Sequence, residues 1–373
     1  MRPQSTLVVA LVAVITTTGF VPVGSAMGMH DAEPTSDERH EVLDPAPVST
    51  VEAADCVPHP PIRITENQGP DGFILGHEPA TGEPIYRPGS GVTAGEGTEE
   101  DPYVISGWCI EDSPISEVTN RLLGIEIRGT SAHVVIQDNV ITGHDRGGMK
   151  LDGAETVTIH NNTITDNGRG GLILSGSSPY VVQDNTLTDN DRYGVVLYGT
   201  SDSVVQDNTL TENDDAVVLF RSSHSVVQDN TLTENDDGVV LSGSNDNAVR
   251  DNTITDNADG VELFRSSNNA VRANTVTDNG DDGVVLFELS DNNVVENNNI
   301  HDNTGAGLLA EDLSEPVDAT DNWWGHDTGP SGGETDACTD TTADGQGDAI
   351  TTSNAEVCFA PWRTSPNPDA GAG

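Results

Sequence analysis

The chain has almost no lysine. Lys150 is the single example, and 15 Lys+Arg stand against 62 Asp+Glu, a formal charge of −47 over 373 residues. So little positive charge leaves no footprint for DNA or RNA and is repelled by an anionic bilayer, which excludes nucleic-acid binding and membrane-surface docking. The acids are spread along the whole sequence rather than gathered in one tail, as in a surface that stays hydrated in concentrated salt. Aromatics are scarce too, at 4%, and hydrophobic residues reach only 34%. One thick globular core is out of reach of this composition, so the fold must bury small β-branched side chains economically.

Long apolar runs are missing except at the N-terminus. Arg2, an apolar stretch from residue 7 to residue 20 and the small residues Val23-Gly24-Ser25-Ala26 make the pattern of a secretory signal over residues 1–26, with cleavage expected after Ala26. Thr16, Thr17, Thr18 and Gly19 interrupt the stretch and argue against an anchor, so the mature chain is expected to have no integral membrane span and to be secreted or attached at the cell surface. The four cysteines, Cys56, Cys109, Cys338 and Cys358, are an even number in an exported chain and allow three disulfide pairings. Cys56 with Cys109 and Cys338 with Cys358 is preferred, because each pair brackets one end of a repetitive region. No C-x₂-C spacing favours zinc.

What is abundant is one phrase. DNVIT at 138, NNTIT at 161, DNTLT at 184, 207 and 229, DNTIT at 251, ANTVT at 273, NNNIH at 297 and DNWWG at 321 recur at intervals of 22–24 residues. A period this regular specifies a solenoid, each unit burying its apolar face against its neighbours. Within a unit the apolar residues alternate as in strands: GVVL at 194–197, SVVQ at 203–206 and TLT at 209–211, separated by polar turns. Three short strands per coil predict an all-β, right-handed parallel β-helix of about nine to ten coils. Three inward columns follow, led by Ile127, Ile136 and Ile141. The second-position asparagines, Asn139 to Asn322, are expected at left-handed corners with their amides paired rung to rung, as structure rather than as ligands.

The expected organisation is a signal over 1–26, an acidic flexible leader over 27–55, an N-terminal cap over 56–102, the β-helix over 103–325 and a C-terminal cap and tail over 326–373. GTEEDPYVISGWCI at 97–110, the chain of DN phrases, NWWGHDTGPSGG at 322–333 and APW at 360–362 resemble the secreted, acidic NosD-like β-helix proteins of haloarchaeal type. The resemblance spans roughly residues 95–362 and implies a pectin-lyase-like fold and an exported location, with carbohydrate binding, sugar hydrolysis or copper handling as associated roles. His133, His144 and His160 are scattered and Met27-Gly28-Met29-His30 lies in the leader, so no metal site is assigned.

In a repeat, function is sought where the consensus breaks. The outward middle position of the first strand is apolar in most coils but is Glu126 and Lys150 in the first two, with Arg128 and Asp152 two residues on and Glu262 the one later exception. One reading makes Lys150 or Arg128 a base or charge stabiliser and Glu126 and Asp152 acid/base or cation-binding groups acting on an acidic glycan; the other is an exposed ion-pair lattice at a solenoid end. The next outward column holds Tyr198, Phe220, Phe264 and Phe287, a candidate aromatic stripe for stacking sugar rings or for packing against the leader, a tail or a second molecule. The turn acids Asp166, Asp189, Glu212, Glu234, Asp256, Asp278 and Asp302 leave Ca²⁺ as an option, although no dedicated calcium loop is present and no cofactor is otherwise expected. The sequence thus reads as an exported binding or scaffold module, with polysaccharide or cell-surface glycan as ligand; the alternatives are a polysaccharide lyase or glycoside hydrolase using the early-coil cluster, and a purely structural surface protein.

Overall fold

A computed structural model describes residues 56–68, 72–111, 123–176 and 179–372. The expected signal and leader lie outside the described residues. Each coil gives one strand to each of three sheets, of twelve, twelve and ten strands, in which the coils pair in parallel and Val92–Ala94 adds one antiparallel strand at an end. The first sheet carries Ile125–Arg128, Met149–Asp152, Leu172–Ser175, Tyr193–Tyr198, Asp215–Phe220, Asp237–Ser242, Asp259–Phe264, Val284–Phe287 and Leu308–Glu311. The second holds the Val-Val-Gln type of strand, such as Val204–Gln206, and the third the Thr-x-Thr type, such as Thr209–Thr211.

Register is in phase throughout the repeat. Leu151, Leu174, Leu197, Leu219, Leu241 and Leu263 stack directly in the first sheet. All three inward columns, from Ile127, Ile136 and Ile141 to Ala310, Ala319 and Trp324, are fully buried. A bore lined by single aliphatic side chains per strand needs few aromatics, which resolves the shortage of hydrophobic residues.

The asparagines form ladders, with one correction to their backbone. Asn208 donates from its backbone N and from Nδ2 to Oδ1 of Asn230, each at 3.0 Å, and Nδ2 also reaches the carbonyls of Val182 and Gln206. The pattern repeats from Asn139 to Asn322. The left-handed residue is the one before each anchor, such as Asp184, Asp207 and Asp229 at φ 55°, because the anchor itself must turn its amide inward. Asp tolerates left-handed backbone, and six of these nine corners take one, each adding a surface charge. A second ladder runs through Asn167, Asn190, Asn213, Asn235, Asn257, Asn279 and Asn303, preceded by the left-handed acids Asp166 to Asp302. The last amide of this ladder is closed by Asp348, whose Oδ2 accepts Asn303 Nδ2 at 2.9 Å and Asn303 N at 3.1 Å.

Parallel pairing extends beyond the repeat phrase at both ends. Val57–Pro58 and Ile62–Ile64 join the third and first sheets, and Gly347–Ser353 and Val357–Cys358 join the first and second. The sheets therefore do not start and stop at residues 103 and 325. Cys56 is bonded to Cys109 and Cys338 to Cys358, one disulfide at each end. The C-terminal tail returns over the third sheet, where Asn367 and Asn299 exchange backbone and side-chain hydrogen bonds at 2.7 and 3.0 Å and Ala372 N reaches Thr253 Oγ1.

Candidate functional site

The early-coil charged set and the aromatic column fall on the outward face of the first sheet, whereas the turn acids Asp166 to Asp302 lie at left-handed corners after the third-sheet strands. In the early coils Glu126 sits beside Lys150 and Arg128 beside Asp152 on adjacent rungs. Glu126 is paired with Arg63 at 3.0 Å and with Arg128, both guanidinium groups being largely exposed. Asp152 accepts a hydrogen bond from Ser175 at 3.1 Å, and Lys150 makes no ion pair among the described residues. A carboxylate held between two arginines at the surface has the geometry of an ion-pair lattice, worth little to stability.

The aromatic column is interrupted once. Tyr198 stacks on Phe220 with centroids 5.0 Å apart, Phe264 meets Phe287 at 4.9 Å, and Ser242 occupies the rung between the two pairs. The stripe is not evenly exposed. Phe220 and Phe264, with Val218, Val240 and Val285, are buried, whereas Tyr198 and Phe287 at its ends are half-buried. Guanidinium groups of Arg221 and Arg265 lie over the Phe220 and Phe264 rings, 5.0 and 4.7 Å from the centroids.

Beside the aromatics runs a ladder of carboxylates that the sequence reading missed. The strands Asp215–Phe220, Asp237–Ser242 and Asp259–Phe264 begin earlier than the expected GVVL segment, so Asp215, Asp237 and Asp259 are paired rung to rung in the sheet and are not turn residues. Glu262 stands in the outward column of the last of these strands, three residues after Asp259, and is buried. Burial, then the charges of Asp259 and Asp215, pushes Glu262 up to about 8. Asp215 is pushed up to about 7 by burial and by Asp214 and Asp236, and Asp259 to about 6, mainly by burial. Asp237 is raised well above the ordinary range by burial and by Asp215. Low polarity and like charges both disfavour ionisation, and no cation is close enough to offset them at Glu262 among the described residues. The signal in sequence was the doublet in NDDAVVLF and NDDGVVLS, which looks like an ordinary polar turn.

Two family models match parts of the chain: right-handed beta helix region over residues 199–324, and periplasmic copper-binding protein (NosD) over residues 95–249. No curated protein matches it. Among solved structures, the A-module of mannuronan C-5 epimerase AlgE6 from Azotobacter vinelandii superposes with a TM-score of 0.52 at 15% identity, over 69% of this chain and 83% of that one. The periplasmic alginate epimerase AlgG gives 0.43 at 16% identity over 71% and 85%, and the Dettilon tailspike protein 0.47 at 17% over 69% and 59%. At these identities the likeness speaks for the fold alone.

The NosD description raises copper, and among the described residues no set of soft or imidazole ligands comes together for it; Met27-Gly28-Met29-His30 lies outside the described residues. All four cysteines are in disulfides, Met149 is buried in the bore, and among the described residues the one group of three close metal-type side chains is all carboxylate. Such a set suits hard cations, not copper. No helix among the described residues is long and apolar enough to cross a membrane.

Proposed function

We propose that this chain, a right-handed β-helix repeat protein, acts outside the cytoplasm as a polysaccharide-binding module whose ligand lies along the outward face of the first sheet. The observation behind this reading is the pairing of two rows on the same strands, aromatic rings at Tyr198, Phe220, Phe264 and Phe287 and carboxylates at Asp215, Asp237, Asp259 and Glu262. Aromatic faces take the apolar face of a sugar ring while neighbouring acids accept its hydroxyls. From Tyr198 to Phe287 is four rungs, about 19 Å at about 4.8 Å per rung, room for several sugar residues. Tyr198 and Phe287 are the accessible stacking sites. Arg221 and Arg265 must swing off the two inner rings, at a cost of roughly 0.5–1 kcal/mol each for an exposed cation–π contact. Two disulfides suit an oxidising compartment, and a mannuronan epimerase on the same architecture supports polysaccharide as the ligand class.

A second reading, polysaccharide cleavage, is favoured by Glu262, a buried carboxyl that keeps its proton to about pH 8 beside the more acidic Asp259. Two carboxyls pushed to different values suit the acid and base of a lyase or hydrolase. The early-coil set Glu126, Arg128, Lys150 and Asp152 is the other place for such chemistry. Incubating the protein in high salt with a glycan array, while assaying retention and new reducing or unsaturated ends, separates the readings. The binding module predicts retention without cleavage, weakened at least tenfold in Y198S/F287S. Retention that ignores both substitutions refutes the proposed face, and new ends move the assignment to an enzyme.

A further inference from the structure

A left-handed corner closes each strand of the first sheet, immediately after the aromatic column, and its occupants follow a rule that breaks twice. Gly129, Gly153, Gly176, Gly199 and Gly243 hold this corner in five coils, all at positive φ, where the missing Cβ removes the steric penalty. Arg221 and Arg265 take the same position at φ 51° and 50°. A long side chain in left-handed backbone is strained and persists only where its surroundings hold it. Both arginines follow a buried phenylalanine, Phe220 or Phe264, whereas Tyr198 is followed by Gly199, Ser242 by Gly243 and Phe287 by Glu288. Leu-Phe-Arg-Ser-Ser thus occurs twice, at 219–223 and 263–267, two coils apart.

Each of these modules places an exposed guanidinium over its own ring, 5.0 Å from the Phe220 centroid and 4.7 Å from that of Phe264. Arg221 makes no ion pair among the described residues, and Arg265 makes one at the surface, with Glu288 at 2.6 Å. A ring face attracts the charge of a guanidinium but leaves its planar fork of N–H donors without oxygen acceptors, whereas an anionic oxygen pair matches that fork bidentately. The modules stand two rungs apart, about 10 Å at about 4.8 Å per rung, close to the advance of two sugar residues along a chain. On the rung between them Ser242 and Gly243 supply no cation, so a charged group there would be desolvated without a partner.

We propose that the two Phe-Arg modules are paired subsites for a polysaccharide bearing an anionic group on alternate sugar residues, each guanidinium leaving its ring to bind one anionic group while the ring takes the sugar face. The inference rests on the glycan-binding reading of the first-sheet face and adds the ligand's charge and its spacing. The competing role is a permanent cover that keeps two phenyl rings out of water. Long-range repulsion by the net charge of −47 opposes any polyanion, but concentrated salt removes it and leaves contacts within hydrogen-bonding reach.

The test measures binding of the full chain, in about 1 M KCl where the Debye length is about 3 Å, to three polymers: hyaluronan, with a carboxylate on alternate residues; its methyl ester, the same backbone uncharged; and polygalacturonate, with a carboxylate on every residue. Hyaluronan should bind at least tenfold more tightly than either of the others. R221G/R265G restores the residue that five other coils carry at this corner, so its thermal midpoint should match or exceed that of the wild type. This variant should lose at least tenfold in affinity for hyaluronan, in the range of one lost hydrogen bond to a charged group. The same variant should gain about 2- to 5-fold per uncovered ring for the ester, since no guanidinium has to be displaced. Hyaluronan affinity that is unchanged or raised in R221G/R265G identifies a permanent cover and overturns the proposal, and polygalacturonate bound as tightly as hyaluronan overturns the alternate spacing. Hyaluronan and ester bound equally, and both weakened by Y198S/F287S, overturn the proposal while the glycan-binding face stands. No binding of any of the three, with no retention on a glycan array, overturns both.

Discussion

The E262Q substitution makes the energetics of the first-sheet face measurable. Glu262 ordinarily ionises near 4.5 but is pushed up to about 8 in the folded chain, first by burial and then by Asp259 and Asp215. Between these values the folded chain holds a proton that the unfolded chain has released, so stability falls as pH rises, by about 1.4 kcal/mol per unit. Across the roughly 3.5-unit window the loss is on the order of 5 kcal/mol, an upper figure because relaxation and water entry soften it. Above pH 8 both states are ionised and the loss is complete. Glutamine keeps the shape without the titration. At pH 5 the variant should be level with the wild type or slightly weaker, since an amide replaces a neutral carboxyl, and at pH 9 it should be the more stable by several kcal/mol. Asp215 and Asp259, also raised, give both proteins a shared downward slope, so the difference between the two curves reports Glu262 together with its effect on Asp237. Denaturant unfolding from pH 5 to 9, in high salt with a chelator present, measures it. Parallel curves, or a variant that is weaker at pH 9, refute the buried, unneutralised carboxyl.

Two further substitutions address what holds the stack. Asn230 Oδ1 accepts both the backbone N and Nδ2 of Asn208, and its own Nδ2 supplies Val205, Gln228 and Asn252, so N230A strands several buried groups at once and should cost about 3 kcal/mol in denaturant unfolding. In the C-terminal cap, the Asp336 carboxylate accepts Cys338 N, Thr339 N, Thr339 Oγ1, Ala360 N and Phe359 N. Burial alone would raise its pKa, but these donors lower it overall. Its contribution is therefore complete above the ordinary carboxylate range and lost as pH falls through the lowered folded value; D336N should remove about 2–3 kcal/mol and expose the cap to limited proteolysis at neutral pH.

The bore was legible because the repeat states its own register. Once the spacing of 22–24 residues is seen, Leu197, Val205 and Leu210 must face inward, and so must their counterparts in every coil. The amide ladders followed from the same columns, although the left-handed position lay one residue earlier than expected, at Asp207 rather than Asn208. The outer face was read less well for a physical reason. Period-two alternation says only that a side chain points away from the bore, not how much solvent it meets, so the column offered for stacking or for packing could not be sorted into the buried Phe220 and Phe264 and the half-buried Tyr198 and Phe287. Asp215 and Asp237 were hidden because a doublet of acids before a valine run is also how a polar turn is written.

Departure from the repeat is not sufficient to mark a special site. Glu126 and Glu262 occupy the same outward column and break the same apolar consensus. Around Glu126 the sequence supplies Arg63 and Arg128, both within ion-pairing distance and largely exposed, so the anomaly is neutralised locally and the rung is as comfortable as any surface lattice. Around Glu262 the neighbours are Val240, Val285 and further acids, and burial removes the water that would otherwise stabilise a charge. A folded chain keeps such an arrangement only if a proton, a cation or a ligand completes it. In this chain of one lysine and fourteen arginines, where cations are the scarce resource, the informative question about any acid that breaks the repeat is which positive group stands beside it. For Glu126 the answer is Arg63 and Arg128; beside Glu262 no positive group stands among the described residues, and burial favours its protonated form.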